Sequence, residues 1–128
     1  LSPAIGGIVI GYEIGRILNL ETIFAERVNN NFNLRRGFAI KKGKKILVVE
    51  DVITTGKSSL ECVKLIKKSK AKLIGIACLI DRTEKKNLKI KKKMIVSQVR
   101  LNVPSYKKNE IPKYLKNIPI QSPGSRRI

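Results

Sequence analysis

From Gly7 to Leu18 the apolar residues Ile10, Ile14, Ile17 and Leu18 recur at i, i+4, i+7 and i+8. That is the spacing of one helix face, so a packed helix is predicted behind a Gly-rich turn. Thr22 to Ala25 is a short β-favouring run. Asn29-Asn30-Asn31 is poor in regular structure and rich in turn-formers, so residues 28–34 read as a mobile loop. Arg36 to Ile40 reads as a short strand and Lys41-Lys42-Gly43-Lys44 as a turn. Ile46-Leu47-Val48-Val49 is a continuous apolar run, as in a strand buried on both faces of a parallel sheet. After Thr54-Thr55-Gly56 a second helix is predicted, with Cys62, Val63 and Ile66 on a packed arc and Lys64, Lys67 and Lys68 on a wet one. Leu73 to Ile80 is the next buried strand and Met94 to Val99 a weaker one. The order strand, helix, strand from Ile46 to Ile80 is a βαβ unit with a right-handed crossover, which makes the fold class α/β with a parallel sheet. Prolines at 104, 112, 119 and 123 break the pattern, predicting an irregular tail over 104–128 with one short helix at Lys113 to Asn117.

A chain of 128 residues is one domain or part of one. It opens on Leu1-Ser2-Pro3 with a Gly-rich turn almost at once, before any strand leads into it, so it is expected to be the C-terminal portion of a longer protein. With no histidine, a Ser-His-Asp triad, an H-E-x-x-H zinc site and a histidine general base are all excluded. Cys62 and Cys78 are the only cysteines and form no C-x-x-C pair. They read as small buried apolar residues in a reducing compartment, and a cytoplasmic location is expected. The longest apolar run, Leu73 to Ile80, is too short to cross a bilayer. The net charge of +19 calls for an anionic partner, whereas aromatics at 5% leave little for base stacking and argue against nucleic acid. The cluster Lys85, Lys86, Lys89, Lys91, Lys92 and Lys93 reads as a solvated loop, with steering of a phosphorylated substrate and a nucleic-acid patch as alternatives.

The chemistry concentrates in Glu50-Asp51-Val52-Ile53-Thr54-Thr55-Gly56-Lys57-Ser58, which joins a buried strand to a helix, the place where open α/β sheets put ligands. From Thr54 to Ser58 the chain offers backbone N–H groups, three hydroxyls and a helix N-terminus, a combination suited to a phosphate. Each charge-assisted hydrogen bond there contributes about 1.5–3 kcal/mol and the helix dipole roughly 0.3–1 kcal/mol, so the donors dominate. Gly56-Lys57-Ser58 is not a P-loop, because Asp51 stands where that motif needs its first glycine. Glu50 and Asp51 would repel a phosphate and must face sugar hydroxyls, a Mg²⁺ ion or a cationic transition state. A sugar phosphate satisfies both halves. The plainer alternative is that the acids end a strand and cap a helix.

Residues Glu50 to Ser58 resemble the phosphoribosyl pyrophosphate (PRPP) signature of type I phosphoribosyltransferases, and the form E-D-V-I-T-T-G is similar to that of the orotate phosphoribosyltransferases. Ser2-Pro3-Ala4-Ile5-Gly6-Gly7 resembles the family's pyrophosphate-binding turn. Phe24-Ala25-Glu26-Arg27 and Leu34-Arg35-Arg36-Gly37-Phe38 resemble the flanks of its mobile catalytic loop, and Ile80-Asp81-Arg82 and Ser122-Pro123-Gly124-Ser125-Arg126 fit as well. The resemblance implies a Rossmann-like parallel-sheet core, PRPP and orotate as substrates, orotidine 5′-monophosphate and pyrophosphate as products, Mg²⁺ as cofactor, and a homodimer. It implies that Glu50, Asp51, Val52, Ile53, Thr54, Thr55, Gly56, Lys57 and Ser58 bind the ribose hydroxyls and 5′-phosphate. Thr54 and Arg82 would bind orotate, and Ser2, Pro3, Ala4, Ile5, Gly6 and Gly7 the pyrophosphate. Arg27 would approach the leaving group, in the neighbouring subunit. No protein ligand of the metal is singled out. The loop from Val28 to Leu34 lacks the Lys and His of other branches, Arg35 and Arg36 being the available substitutes, and Ile111-Pro112-Lys113-Tyr114 stands where related chains carry a C-P-x-C pair. Competing readings are a phosphoribosyltransferase for another nucleobase and a PRPP-sensing regulator that binds nucleic acid.

Overall fold

A computed structural model describes residues 1–83, 90–91, 94–104, 106–107 and 109–119. Lys85, Lys86, Lys89, Lys92 and Lys93 of the lysine cluster, and the tail motif Ser122 to Arg126, lie outside the described residues. The elements are β1 (Ser2–Pro3), α1 (Gly7–Leu18), β2 (Phe24–Val28), β3 (Asn31–Leu34), β4 (Lys45–Ile53), α2 (Lys57–Lys68), β5 (Lys72–Asp81) and β6 (Ile95–Arg100), followed by a single 3-10 turn at Lys113–Leu115.

Two three-stranded sheets form, in the orders β1-β2-β3 and β4-β5-β6. All neighbours are parallel except β2 and β3. The Leu1 amine donates to Leu47 O at 2.9 Å, and Val49 N–H donates to Leu1 O at 3.0 Å. That pattern is one parallel bridge, and it aligns the two sheets as β3-β2-β1-β4-β5-β6. The next donor toward β4 would come from Pro3, which has no N–H, so the ladder stops and the chain peels away beyond it. Between β1 and β4 the strand order reverses, and a crevice at such a reversal is where open α/β sheets bind ligands.

One face of this array carries the main core. Val48, Ile53, Ile76 and Cys78 from β4 and β5, with Ala25 and Phe32 from β2 and β3, close against Cys62 and Ile66 of α2. The predicted arcs of that helix are observed: Cys62, Val63 and Ile66 are buried while Lys64, Lys67 and Lys68 are exposed. Burial pushes the Cys62 thiol up to about 12, and burial with the nearby Asp81 and Glu50 charges pushes Cys78 up to about 11, so both are protonated, unreactive packing groups.

Helix α1 covers the other face differently from the expectation. Ile17 and Leu18 are 66% and 55% exposed, and the buried residues are Gly7, Gly11 and Gly15. A Cβ on Gly11 would collide with Ser2 Oγ, one on Gly15 with Thr22 Cγ2, and one on Gly7 would lie 2.9 Å from Val49 O. Missing side chains let the helix backbone rest on the strands, and the isoleucines flank that contact. Asn19, in the left-handed region at φ 51°, ends the helix, with Leu20 N–H donating to Gly15 O at 2.8 Å.

Two further expectations are corrected. Residues 28–34 are a tight hairpin rather than a loop: Asn29 and Asn30 have φ of 48° and 63°, the two positive values of a type I′ turn, and Phe32 returns to the core. Asparagine tolerates this conformation, which composition alone registers as disorder. No strand forms over 36–40, because Arg36 and Gly37 both take positive φ, 55° and 77°, and turn the chain. Phe38 then packs edge-on against Phe24 with centroids 5.0 Å apart.

At the edge where β4 and β5 begin, two turns are stitched together by Gly43 N–H to Lys70 O at 3.0 Å and Lys72 N–H to Lys44 O at 2.8 Å. They present Lys41, Lys42, Lys44, Lys45, Lys70 and Lys72 side by side, all exposed. No helix among the described residues is long and apolar enough to cross a membrane.

Gly11→Val should therefore cost about 1–3 kcal/mol, as overpacking does, when unfolding is followed in urea. A variant as stable as the parent would mean that α1 does not rest on β1.

Candidate active site

Parallel strands deliver their C-terminal ends to one edge, and three of the segments singled out in the sequence meet there: the turn after β1, the turn after β4 and the end of β5. Gly56 takes φ 71°, a left-handed conformation that favours glycine, and swings the chain from Thr54 and Thr55 into α2. Helix α2 starts with no side-chain cap and no acid in its first turn, which leaves its positive end open to an anion. Thr54, Thr55 and Lys57 are exposed around it, Val52 and Ser58 half-buried, and Ile53 buried in the core. The Thr55 hydroxyl accepts from Lys57 N–H at 3.4 Å.

The two acids part company. Neighbouring positions on a strand point to opposite faces. Glu50, 6% exposed, turns toward α2 and accepts from Ser59 Oγ at 2.6 Å. Asp51, half-buried, turns toward the crevice, where its Oδ1 accepts from Val52 N–H at 2.8 Å. Its carboxylate lies against Gly6, and a Cβ there would collide with Asp51 Oδ2. The Gly6 backbone is ordinary right-handed helix, φ −55° and ψ −42°, so the constraint there is one of space: a side chain would have to displace the Asp51 carboxylate. The turn Ser2 to Gly7 and the acid thus touch across the gap that Pro3 opens. Ser2 and Pro3 are buried, Ala4 half-buried, and Ile5 74% exposed. Ser59 was not singled out from the sequence; its place in the first turn of a helix after an acid-ending strand is the only signal it gives.

Arg82 follows β5, and its N–H donates to Ile53 O at 2.8 Å, so it stands directly beside Thr54. Its Nε is buried without a hydrogen-bond partner among the described residues. Asp81, fully buried, accepts from Thr83 N–H through Oδ1 at 2.8 Å and from Arg100 Nε through Oδ2 at 3.0 Å. Burial pushes the Asp81 carboxyl up, but the Thr83 hydrogen bonds and the Arg100 guanidinium outweigh it and hold it below the usual aspartate range.

The structure ties Arg27 elsewhere. Its guanidinium pairs with Glu61 of α2 at 2.9 Å, donates to Asn30 O at 2.8 Å and lies 4.2 Å over the Phe32 ring. Arg36 is likewise engaged, by both oxygens of Glu26 at 2.9 Å, and this pairing holds the Glu26 carboxyl down. Among the described residues no group of three or more acids and cysteines could hold a metal. Among the described residues, Asp51 is the carboxylate that faces the crevice. That donor set fits Mg²⁺, which keeps its waters and is held mainly by substrate phosphates with one or two carboxylates.

A depressed carboxyl stabilises the fold above its unfolded pKa and loses that contribution as pH falls toward the folded value. The stability gap between the wild type and Asp81→Asn should therefore shrink in acid below the usual aspartate range, measured by denaturant unfolding across pH. A gap that stays constant there would contradict the pairing.

Residues 1–110 match the family model described as phosphoribosyl transferase domain. Among curated proteins, the chain is 44% identical over 128 residues to orotate phosphoribosyltransferase of Parvibaculum lavamentivorans, covering 100% of this chain and 65% of that protein. It is 45% identical over 126 residues to the same-named protein of Chlorobium phaeobacteroides, covering 98% and 64%. This chain thus spans about two thirds of the length of the relatives it matches. Adenine phosphoribosyltransferase from Thermoanaerobacter pseudethanolicus superposes with a TM-score of 0.65 at 16% identity, covering 78% of this chain and 67% of that one. Orotate phosphoribosyltransferase from Aeropyrum pernix superposes at 0.61 and 19% identity, covering 78% and 58%. A signature at the strand reversal, a matching family model and this shared fold agree: the chain belongs to the phosphoribosyl transferase domain family.

Proposed function

We propose that the chain carries the PRPP-binding core and part of the base-binding site of an orotate phosphoribosyltransferase. The observation that carries this reading is the hydrogen bond from Arg82 N–H to Ile53 O, which sets the proposed base-binding arginine beside Thr54 at the mouth of the proposed phosphate turn. The buried Arg82 Nε, without a partner among the described residues, supports it, since such a donor calls for an acceptor such as a carboxylate or an imide edge. The names of the relatives at 44–45% identity support the choice of base.

In this reading the 5′-phosphate sits on the Thr54–Ser58 turn and the positive end of α2. The ring nitrogen of orotate attacks the anomeric carbon, the bond from that carbon to the pyrophosphate oxygen breaks, pyrophosphate leaves with the electron pair, and the proton of the ring N–H passes to the departing pyrophosphate or to water. Positive charge builds on the ribose and negative charge on the leaving group. Asp51, aimed into the crevice, takes the ribose hydroxyls and stabilises the developing cation. Glu50, bonded to Ser59, fixes the end of β4 against α2 and so sets the height of the turn above it. The backbone of Ser2 to Gly7 meets the pyrophosphate. Asp51, together with substrate oxygens, would hold Mg²⁺, whose positive charge would offset the charge on the leaving group. Arg27, whose Nη1 is held by Glu61 and Asn30 O, would turn its guanidinium to the leaving group in the neighbouring subunit. A homodimer and a cytoplasmic setting complete the proposal.

The assay is orotate consumption in the full natural chain with PRPP and Mg²⁺. Orotidine 5′-monophosphate and pyrophosphate should appear in equal amounts. Orotate left untouched while uracil or a purine reacts would sink the base assignment. Salt-sensitive binding of nucleic acid with no pyrophosphate release would favour a regulator. Asp51→Asn should lower kcat by about 10²–10³-fold with the fold intact by circular dichroism. Arg82→Ala should raise the orotate KM by about 10–100-fold, the loss of one charge-assisted contact, and an unchanged KM would remove Arg82 from the site.

A further inference from the structure

The buried Asp81 carboxylate has two jobs, one on each oxygen. Oδ1 reaches over Arg82 to Thr83 N–H, closing a turn with Arg82 at its centre. Oδ2 sits in the fork of Arg100, whose Nε and Nη2 both lie at 3.0 Å. Asp81 and Arg100 are register partners across β5 and β6, and Leu101 N–H donates back to Asp81 O at 3.0 Å. The far side of the turn is pinned by Arg82 N–H on Ile53 O. Arg82 is thus held between a backbone bond to β4 and a carboxylate whose own orientation is set from β6. The Arg100 side chain is 56% exposed and the Asp81 side chain fully buried, so Arg100 compensates a buried charge from the water side. The fork also contributes direction: a planar guanidinium on one oxygen leaves the other oxygen facing Thr83.

We propose that Arg100 is a positioning residue for base recognition, acting through Asp81 to fix the turn that aims the Arg82 guanidinium at the nucleobase. The proposal rests on the reading of Arg82 as a base-binding residue and deepens it. Without Arg100, the buried carboxylate loses its fork and can swing off Thr83. The turn then loosens while the Arg82 backbone stays anchored at Ile53. The effect should fall on the base and leave PRPP alone, because the Thr54–Ser58 turn is built by β4 and α2 and owes nothing to β6.

The test is steady-state kinetics of the full natural chain as wild type, Arg100→Ala, Arg100→Lys, Asp81→Asn and the double variant. Arg100→Ala should raise the base KM about tenfold, as small misplacements of a binding group do, with the PRPP KM and kcat unchanged. Arg100→Lys keeps the charge without the fork and should recover part of that loss. Adding Asp81→Asn to Arg100→Ala should add nothing, since both act through one link. An unchanged base KM, or equal losses for both substrates, would overturn the proposal. Should Arg100→Ala fail to fold, the base KM of Arg100→Lys decides it in the same terms. If the wild type ignores orotate and uses another base, the orotate reading falls. Arg100 is then judged on the KM of that base: a rise supports it and no change overturns it. If no base is used, both fall.

Discussion

The parallel bridge that seats Leu1 between Leu47 and Val49 joins the two halves of this structure and places the end of β1 alongside the end of β4. The candidate site exists because that alignment is made and then abandoned within three residues. Pro3 cannot extend the ladder, so the chain lifts off β4 where a ligand needs room, and glycines at 6, 7 and 11 let the lifted segment and its helix lie directly on strand and carboxylate. Small and donor-poor residues shape the crevice; polar ones line it.

Within that frame the strand pleat gives two adjacent acids different work. Glu50 is internal and belongs to the packing of α2 on β4, whereas Asp51 is the acid presented to the crevice. A sequence signature records both with equal weight, because it cannot see which side of the sheet each one faces. The same division recurs at the end of β5, where buried Asp81 closes the turn and its neighbour Arg82 carries a buried donor with no hydrogen-bond partner among the described residues. In both places a buried carboxylate is followed by a half-buried charged residue.

Much of this was legible from residues close together in the chain. The βαβ unit, the α2 arcs and the glycine turn that leads into α2 follow from apolar runs and glycine spacing over a few residues. What escaped was of two kinds. Glycine and asparagine leave no hydrophobic trace, so apolar spacing points to Ile and Leu positions for the packed face of α1, and composition reads the type I′ hairpin at Asn29-Asn30 as a loop. Pairings between distant elements, Arg27 with Glu61 and Arg100 with Asp81, have no local signature at all. Arg27 matched a family motif, yet its partner on α2 could be found only once the sheet was assembled.

At the far edge of the sheet, the stitched turns that bring Lys41, Lys42, Lys44, Lys45, Lys70 and Lys72 together form no ion pair among the described residues. Like charges crowded onto one rim repel, and mobile counterions damp that repulsion beyond about 8 Å at physiological ionic strength. The fold therefore carries an internal electrostatic pressure at the edge opposite the crevice, and dissolved salt becomes a silent structural component there, relaxing that rim.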